Sequence, residues 1–262
     1  MITLASDFGS PYPAAMTGVI CARSDARIED IAHDFPRHDV RATAFWLREL
    51  LPYFPPAVHC VVVDPGVGTD RDAIVLRVGD HALVAPDNGV VLPVARELAG
   101  LAPGDSLERE DVTAFVIDDT EADSTTFHGR DVFAPAAAAL HEAGVANAES
   151  LDRLTPTDSA NLVDCTLPEA DVENGRAEGE VLVVDDFGNA ITNVPGGFLA
   201  SASAVTVNGN RTPVGDTFAA VPEGDPLVTV GSHGLVECDV NQGRGDEAFG
   251  LAVRDAVVLE RC

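Results

Sequence analysis

The chain has 262 residues, which permits one large domain or two ordinary ones, and its 46% hydrophobic content is enough for a proper core. The formal net charge is −27 at pH 7; a field this negative repels nucleic acid and anionic membranes, so we expect neither as a partner. No apolar run reaches the roughly eighteen residues of a membrane span and the N-terminus does not resemble a signal peptide, so we expect a cytoplasmic protein.

The acidic residues are spread among apolar runs, and all sixteen basic residues are arginine. This lysine-free, acid-rich composition is similar to that of proteins from halophilic archaea, in which concentrated salt screens carboxylate repulsion. The alternative is an acidic protein of a mesophile. Five scattered cysteines and seven histidines show no metal-ligand spacing, so the sequence predicts neither a metal site nor a disulfide framework.

Strands and helices alternate through residues 1–165, which predicts an N-terminal α/β, sandwich-like domain with a largely parallel sheet. The predicted strands cover residues 2–5, 26–31, 58–63, 73–78, 81–85 and 114–117. The predicted helices cover residues 13–23, 40 to just before Pro55, 90–98 and 131–143.

The pattern changes after about residue 165. Residues 166–178 are acidic and contain glycine, which indicates a linker. Short β-type runs follow, with turn residues between them and no convincing helix. They cover residues 179–184, 204–207, 226–230, 235–240 and 256–259. This spacing predicts a C-terminal all-β barrel domain over residues 179–262.

The most informative stretch runs from Val61 to Arg71. A buried, β-branched strand ends there at Asp64 and breaks at Pro65-Gly66. Ligands of α/β folds bind at the carboxyl ends of strands, so Asp64 and Arg71 are candidate site residues. The alternative is an ordinary strand-turn with a surface ion pair.

Three further polar clusters also lie at predicted strand or helix ends. Asp7 is placed to accept from a ribose diol, or else to cap a helix. His128 precedes a helix in a dense polar turn. Asp185 is suited to bind an ammonium group and Asn189 an adenine edge, although the cluster that contains both could also be a hairpin turn. Phosphate-binding loops, dinucleotide fingerprints and nucleophile elbows are absent from the sequence.

Taken together, the motifs resemble the S-adenosylmethionine hydroxide adenosyltransferases, relatives of the fluorinases and chlorinases. They span nearly the whole chain in the family's order. The motifs are Ser6-Asp7-Phe8-Gly9, the loop around His33-Asp34, Asp64-Pro65-Gly66-Val67-Gly68-Thr69 with Arg71, Ala85-Pro86-Asp87-Asn88-Gly89, Phe127-His128-Gly129-Arg130-Asp131, Phe187-Gly188-Asn189 and Asn241-Gln242-Gly243.

The resemblance implies an α/β domain, a C-terminal β-barrel and a homotrimer whose sites lie at subunit interfaces. The implied reaction is attack of water-derived hydroxide on the ribose C5′ of S-adenosylmethionine, which gives adenosine and methionine without a cofactor. The catalytic set maps onto Asp64, Arg71 and His128. The substrate-binding positions map onto Asp7, Phe8, His38, Phe127, Asp185, Phe187, Asn189, Ser232, Asn241 and Gln242.

Two positions depart from the family pattern. His38 stands where the family usually has an aromatic residue, and a neutral imidazole can still stack. His233 follows Ser232, where the halogenases carry an arginine that holds the methionine carboxylate.

Two other functions are consistent with the motifs. A halogenase would use chloride or fluoride instead of water, but the carboxylate of Asp64 would repel a halide, and the halogenases carry a tyrosine there. A non-catalytic sensor of adenosine or S-adenosylmethionine would bind the nucleoside without turnover.

Overall fold

The computed structural model describes residues 1–69, 71–120, 124 and 126–262. Asp70 and Thr125, which fall within two of the motif regions, lie outside the described residues. The chain forms two compact units, Met1–Leu167 and Pro168–Cys262.

The first unit contains a seven-stranded sheet with the strand order β2-β1-β3-β5-β4-β6-β7. Its strands are β1 (Ile2–Ser6), β2 (Ile28–Ala32), β3 (Val58–Val62), β4 (Ala73–Val78), β5 (His81–Pro86), β6 (Val112–Ile117) and β7 (Leu154–Thr157). Its α-helices are α1 (Pro13–Cys21), α2 (Val40–Leu50), α3 (Leu92–Leu98) and α4 (Ala134–Ala143). Short helical turns cover Leu51–Tyr53, Gly129–Phe133, Val145–Ser150 and Ser159–Asn161.

The sheet is mixed rather than largely parallel. Strands β2, β1, β3 and β5 pair in parallel, whereas β5, β4, β6 and β7 pair antiparallel. The tight Gly79-Asp80 turn forces β4 and β5 to run antiparallel, because a parallel pair needs a long crossover. The sequence did not predict the edge strand β7; Pro156, which cannot donate a ladder hydrogen bond, obscured it.

Both faces of the sheet are buried, and this three-layer arrangement confirms the α/β class. On β3, Cys60 and Val62 pack into one apolar cluster while Val61 packs into the other. This alternation follows from the two-residue period of a strand. Helices α1 and α4 cover the first face, and α2 and α3 cover the second.

The second unit is an antiparallel, nearly closed barrel, as the sequence predicted. Its strands are β8 (Asp171–Glu173), β9 (Arg176–Val184), β10 (Ala190–Pro195), β11 (Ala204–Val207), β12 (Asn210–Pro213), β13 (Pro226–Val230), β14 (Leu235–Val240) and β15 (Ala256–Arg261). The strand order is β12-β11-β15-β9-β10-β14-β13, and a bridge between Val214 and Val228 brings the two ends together. Short turns cover Gly196–Leu199 and Phe218–Ala220, and a short helix, α5, covers Gly245–Phe249.

The predicted linker, residues 166–178, is mostly built into this barrel unit. Strand β8 pairs with the first residues of β9 across a turn at Asn174-Gly175. Both turn residues have positive φ, the backbone conformation that such tight hairpins require. In the described part of the chain, no helix combines the length and apolar character needed to cross a bilayer.

Candidate active site

Asp64 occupies a rigid position just beyond the end of β3. Its side chain is 5% exposed, and its Oδ1 accepts a hydrogen bond from the Gly66 backbone N–H at 2.9 Å. The Arg71 guanidinium donates to the same oxygen. A Cβ on Gly66 would lie 2.4 Å from Arg71 Nη1, so the absence of a side chain at Gly66 lets the guanidinium approach the carboxylate.

Asn88 stabilises the backbone immediately before Asp64. Its Nδ2 donates to the Val63 carbonyl at 2.8 Å, and its Oδ1 accepts from the Val90 N–H at 3.1 Å. The neighbouring Asp87 accepts from a backbone N–H at 2.9 Å. Burial raises the pKa of Asp87, while the nearby Arg71 lowers it. Arg71 therefore contacts Asp64 directly and acts on Asp87 only through its charge.

Asp7 lies at the same edge of the sheet because β1 runs parallel to β3. Its buried carboxylate accepts from the His38 N–H at 2.8 Å. His38 has a φ of +61°, a left-handed conformation that turns its N–H toward Asp7. A hydrogen bond of 2.8 Å between Ser6 Oγ and His33 Nδ1 ties the same two loops together. The structure thus brings Asp7 and the backbone of His38 together, and His38 itself is exposed.

Three aromatic rings meet beside these loops. Phe8, Tyr12 and Phe127 pack edge to face, with centroids 5.5–6.4 Å apart. A Cβ on Gly129 would meet the Phe8 ring at 3.0 Å, so this glycine allows the ring to lie against the backbone next to His128. Tyr12 is 58% exposed, and the cluster therefore offers an apolar surface suited to a ribose or purine ring.

His128 is half-buried at the start of the helical turn Gly129–Phe133, which packs against β3. Within this turn, the Arg130 guanidinium binds the adjacent Asp131 through two hydrogen bonds of 2.6 and 2.7 Å. This contact lowers the pKa of Asp131. Among the described residues, no hydrogen bond joins the His128 ring to Asp64 or Arg71.

In the second unit, the predicted cluster after β9 forms a closed loop. The Asp185 carboxylate accepts from both the backbone N–H and the side-chain amide of Asn189, at 2.9 and 3.0 Å. Phe187 at the tip is 79% exposed. A Cβ on Gly188 would meet the Arg244 side chain at 2.8 Å. Asp185 and Asn189, predicted to contact opposite ends of the substrate, therefore form one hydrogen-bonded unit.

Ser232 and His233 lie in the turn between β13 and β14. Ser232 is exposed, whereas the His233 side chain is only 8% exposed and its Nε2 lies 3.0 Å from Glu237 Oε1. A Cβ on Gly231 would overlap that carboxylate oxygen. The imidazole is thus held against the outer face of β14.

The last two predicted residues differ in role. Asn241 donates from Nδ2 to the Val221 carbonyl at 2.8 Å, which secures the loop that leads into β13. Gln242 is exposed, with a φ of +59°. The hydrogen bond of Asn241 is therefore structural, and Gln242 is the more exposed of the two residues.

Several residues near these clusters were missed by the sequence reasoning. Asn88 lay inside a recognised motif, but its bond to Val63 depends on a neighbouring strand end. Tyr12 was not singled out, because it lies between the motif around Asp7 and the predicted helix over residues 13–23. Glu237 and Asp239 carried a readable signal, because they alternate with apolar residues along the strand Leu235–Val240.

Fold and site together define a two-domain protein with an α/β unit and a β-barrel unit, each with polar groups at strand ends. Residues 2–150 match the family model described as SAM hydroxide adenosyltransferase N-terminal domain, and residues 179–258 match its C-terminal domain. The chain belongs to the SAM hydroxide adenosyltransferase family, where SAM is S-adenosyl-L-methionine.

Named relatives cover nearly the full length of the chain. A protein of Thermus thermophilus named (R)-S-adenosyl-L-methionine hydrolase is 40% identical, over 94% of this chain and 94% of its own. A protein of the same name from Salinispora arenicola is 38% identical, over 97% and 95%.

Solved structures agree with this likeness. An uncharacterized conserved protein from Thermotoga maritima superposes with a TM-score of 0.81 at 32% identity and covers 100% of both chains. A conserved hypothetical protein from Thermus thermophilus gives a TM-score of 0.75 at 37% identity, over 100% of this chain and 99% of its own.

Proposed function

We propose that this protein hydrolyses S-adenosyl-L-methionine to adenosine and L-methionine, and that the R epimer at sulfur is its substrate. Family membership and the names of the full-length relatives support the reaction and the epimer. The observation that carries the chemistry is the buried Asp64 carboxylate, aligned by Gly66 and Arg71 at the carboxyl end of β3.

The sulfonium is already a good leaving group, so the enzyme needs mainly an aligned, desolvated nucleophile about 3 Å from C5′. Asp64 orients a water and accepts its proton as the oxygen bonds to C5′. The C5′–sulfur bond breaks and its electron pair stays on sulfur as the thioether of methionine. The proton then passes to solvent. Arg71 fixes the carboxylate, and His128 completes the set by family resemblance.

The substrate-binding groups are assigned by the same resemblance. Asp7 would hold the ribose hydroxyls, and the Phe8, Tyr12 and Phe127 rings would flank the nucleoside. Asn189 would contact adenine, while Asp185 and Ser232 would hold the methionine end. No cofactor takes part in the proposed reaction.

We also propose a cytoplasmic homotrimer with its sites at subunit interfaces. All five cysteines are free thiols, which suits a reducing compartment. The candidate ligand residues are divided between the two units, as expected if neighbouring subunits complete each site. Sedimentation at high salt should give a trimer; a stable monomer that keeps full activity would count against this proposal.

The reaction is tested with the R and S epimers supplied separately in water enriched in oxygen-18. Hydrolysis at C5′ predicts adenosine labelled in its 5′-hydroxyl, equimolar methionine and preference for the R epimer. Formation of 5′-chloro-5′-deoxyadenosine in chloride would instead identify a halogenase. Binding measured by calorimetry without any turnover would identify a sensor.

A further inference from the structure

The outer face of β14 carries two buried carboxylates, Glu237 and Asp239. Val236 and Cys238 belong to the barrel core, so Glu237 and Asp239 point to the opposite side of the sheet. Asn189 immediately precedes Ala190, which pairs with Cys238. This register places Asn189, together with the Asp185 bonded to it, beside Asp239.

Asp239 is completely buried, and only one of its two carboxylate oxygens accepts a hydrogen bond from a described residue. Its Oδ2 accepts a hydrogen bond of 2.5 Å from Thr229 Oγ1 on the neighbouring strand. Its Oδ1 is buried, and no described residue forms a hydrogen bond with it. A buried carboxylate oxygen with no donor costs free energy, which a cationic or N–H donor would recover.

The charges around Asp239 are predominantly negative. The pKa of Asp239 is raised to about 7, chiefly by burial; the Glu237 and Asp185 carboxylates contribute to the rise, while the Thr229 hydrogen bond and His233 oppose it. Helix α5, packed on β14, adds Asp246, Glu247 and one arginine, Arg244, which binds both of those acids. The carboxylates of Asp185, Glu237 and Asp239, which we call the acidic cluster, together favour a cation.

We propose that Asp239 is a positioning and specificity residue for the substrate's α-ammonium group. This inference rests on the proposed function, which places the amino-acid end of S-adenosylmethionine at Asp185. Both Asp185 oxygens are already engaged by Asn189. Asp239 supplies additional negative charge behind that pair, so ligands with an α-ammonium bind more tightly than ligands without one.

The test measures binding of the methionine end and of the adenosine end of the substrate separately. Asp239→Asn keeps the shape of the side chain and removes its charge. At pH 8 we expect the KM for S-adenosylmethionine and the inhibition constant of L-methionine to rise about tenfold, the usual weight of one charge-assisted contact. We expect kcat and the inhibition constant of adenosine to stay unchanged. Asp216→Asn, an exposed site on the same unit, is the matched control.

A pH series adds a readout that a purely structural role would not move. In the wild type, the KM should fall as pH rises through about 7 and the Asp239 carboxyl loses its proton. Asp239→Asn should lack this step. Thr229→Val removes the hydrogen bond that lowers the pKa of Asp239, so the step should move to higher pH. Asp216→Asn should keep the wild-type step, and any pH dependence that remains in Asp239→Asn reports titration of the substrate itself.

Unchanged L-methionine binding in Asp239→Asn, or an equal loss of adenosine binding, would overturn the inference. If Asp239→Asn does not fold, Thr229→Val still tests the pH step, and an unshifted step would overturn it. A failure of the proposed function would be distinguishable from a failure of this inference. A wild type that binds L-methionine through Asp239 but never cleaves S-adenosylmethionine would leave this inference standing.

Discussion

Asp64 shows how one side chain acquires a defined geometry. A short strand end fixes its backbone, the Gly66 N–H and the Arg71 guanidinium fix its carboxylate, and Asn88 secures the preceding carbonyl. Each contact restrains a rotation that would otherwise cost activity, since aligned nucleophiles depend on sub-ångström placement.

Asp64→Asn keeps the shape of this side chain but loses the charge. Turnover of S-adenosylmethionine should fall by roughly two to four orders of magnitude, the range for loss of a positioned general base, while substrate binding stays nearly intact. Steady-state kinetics and calorimetry would measure the two effects. Asp80→Asn, at the exposed hairpin turn, serves as the control. Near-normal turnover in Asp64→Asn would make the carboxylate structural and move the catalytic assignment to His128 and Arg71.

The loop that follows β3 can bring Arg71 against Asp64 because Gly66, which faces the guanidinium, has no side chain. The clash that a methyl group would cause at Gly66 falls on the flexible end of Arg71, whereas the backbone is untouched. The arginine would therefore move, and the fold would stay.

Gly66→Ala should lower turnover by about tenfold or more, since it separates Arg71 from Asp64, and it should shift the melting temperature by only a few degrees. Kinetics and thermal melts measure both. Gly18→Ala on α1, where a new methyl group meets nothing within 4 Å, is the matched control. Full activity in Gly66→Ala would show that the ion pair is dispensable.

Strands β1, β3 and β5 share a buried polar row. Thr3 Oγ1 lies 2.8 Å from His59 Nδ1, and His59 Nε2 lies 2.9 Å from His81 Nδ1. Burial, and then the neighbouring His81, lower the pKa of His59 to about 3. Burial also lowers the pKa of His81, which Asp80 partly offsets. The folded state therefore keeps His59 neutral where the unfolded chain takes up a proton.

This difference predicts a pH dependence of stability. The His59 contribution is complete above pH 6.5, the ordinary pKa of histidine, and is progressively lost as pH falls toward 3. His59→Leu should be less stable at pH 8, because Thr3 and His81 lose their partner, but its melting temperature should fall less steeply between pH 7 and 5. An equally steep fall in the variant would refute a role for His59 in acid sensitivity.

For the whole molecule, net charge is the strongest influence on stability that the composition reveals. The chain has 43 acidic residues and 16 arginines, so pairing every arginine would still leave an excess of carboxylates. Their mutual repulsion opposes the compact state. Salt shortens its range, from a screening length of about 10 Å at 0.1 M to about 3 Å at 1 M.

Stability and activity should therefore need molar salt. The melting temperature should rise strongly when KCl increases from about 0.1 M to about 3 M, because concentrated salt screens the repulsion between surface carboxylates. The control is a neutral osmolyte at the same osmolality, which is excluded from the protein surface but does not screen charge. It should raise the melting temperature much less than KCl does. A melting temperature that is unchanged, or higher, in dilute buffer would refute this prediction.

Features of the fold that depend on near neighbours in the chain are predictable from the sequence alone. Strand and helix periods, the tight β4–β5 turn, the barrel-type spacing of the second unit and the ordered motifs could all be read locally. Strands β7, β8, β10 and β12 were not predicted, because proline, short length or polar residues hid the period of two.

The hydrogen-bond partners of the motif residues could not be predicted in this way, because they depend on the three-dimensional fold. The hydrogen bonds from the His38 N–H to Asp7, from Asn88 to the Val63 carbonyl and from Thr229 to Asp239 join residues that are distant in the chain or on different strands. Residue types restrict which bonds can form. Strand register and loop closure select the ones that do, because both depend on long-range packing that no local pattern records.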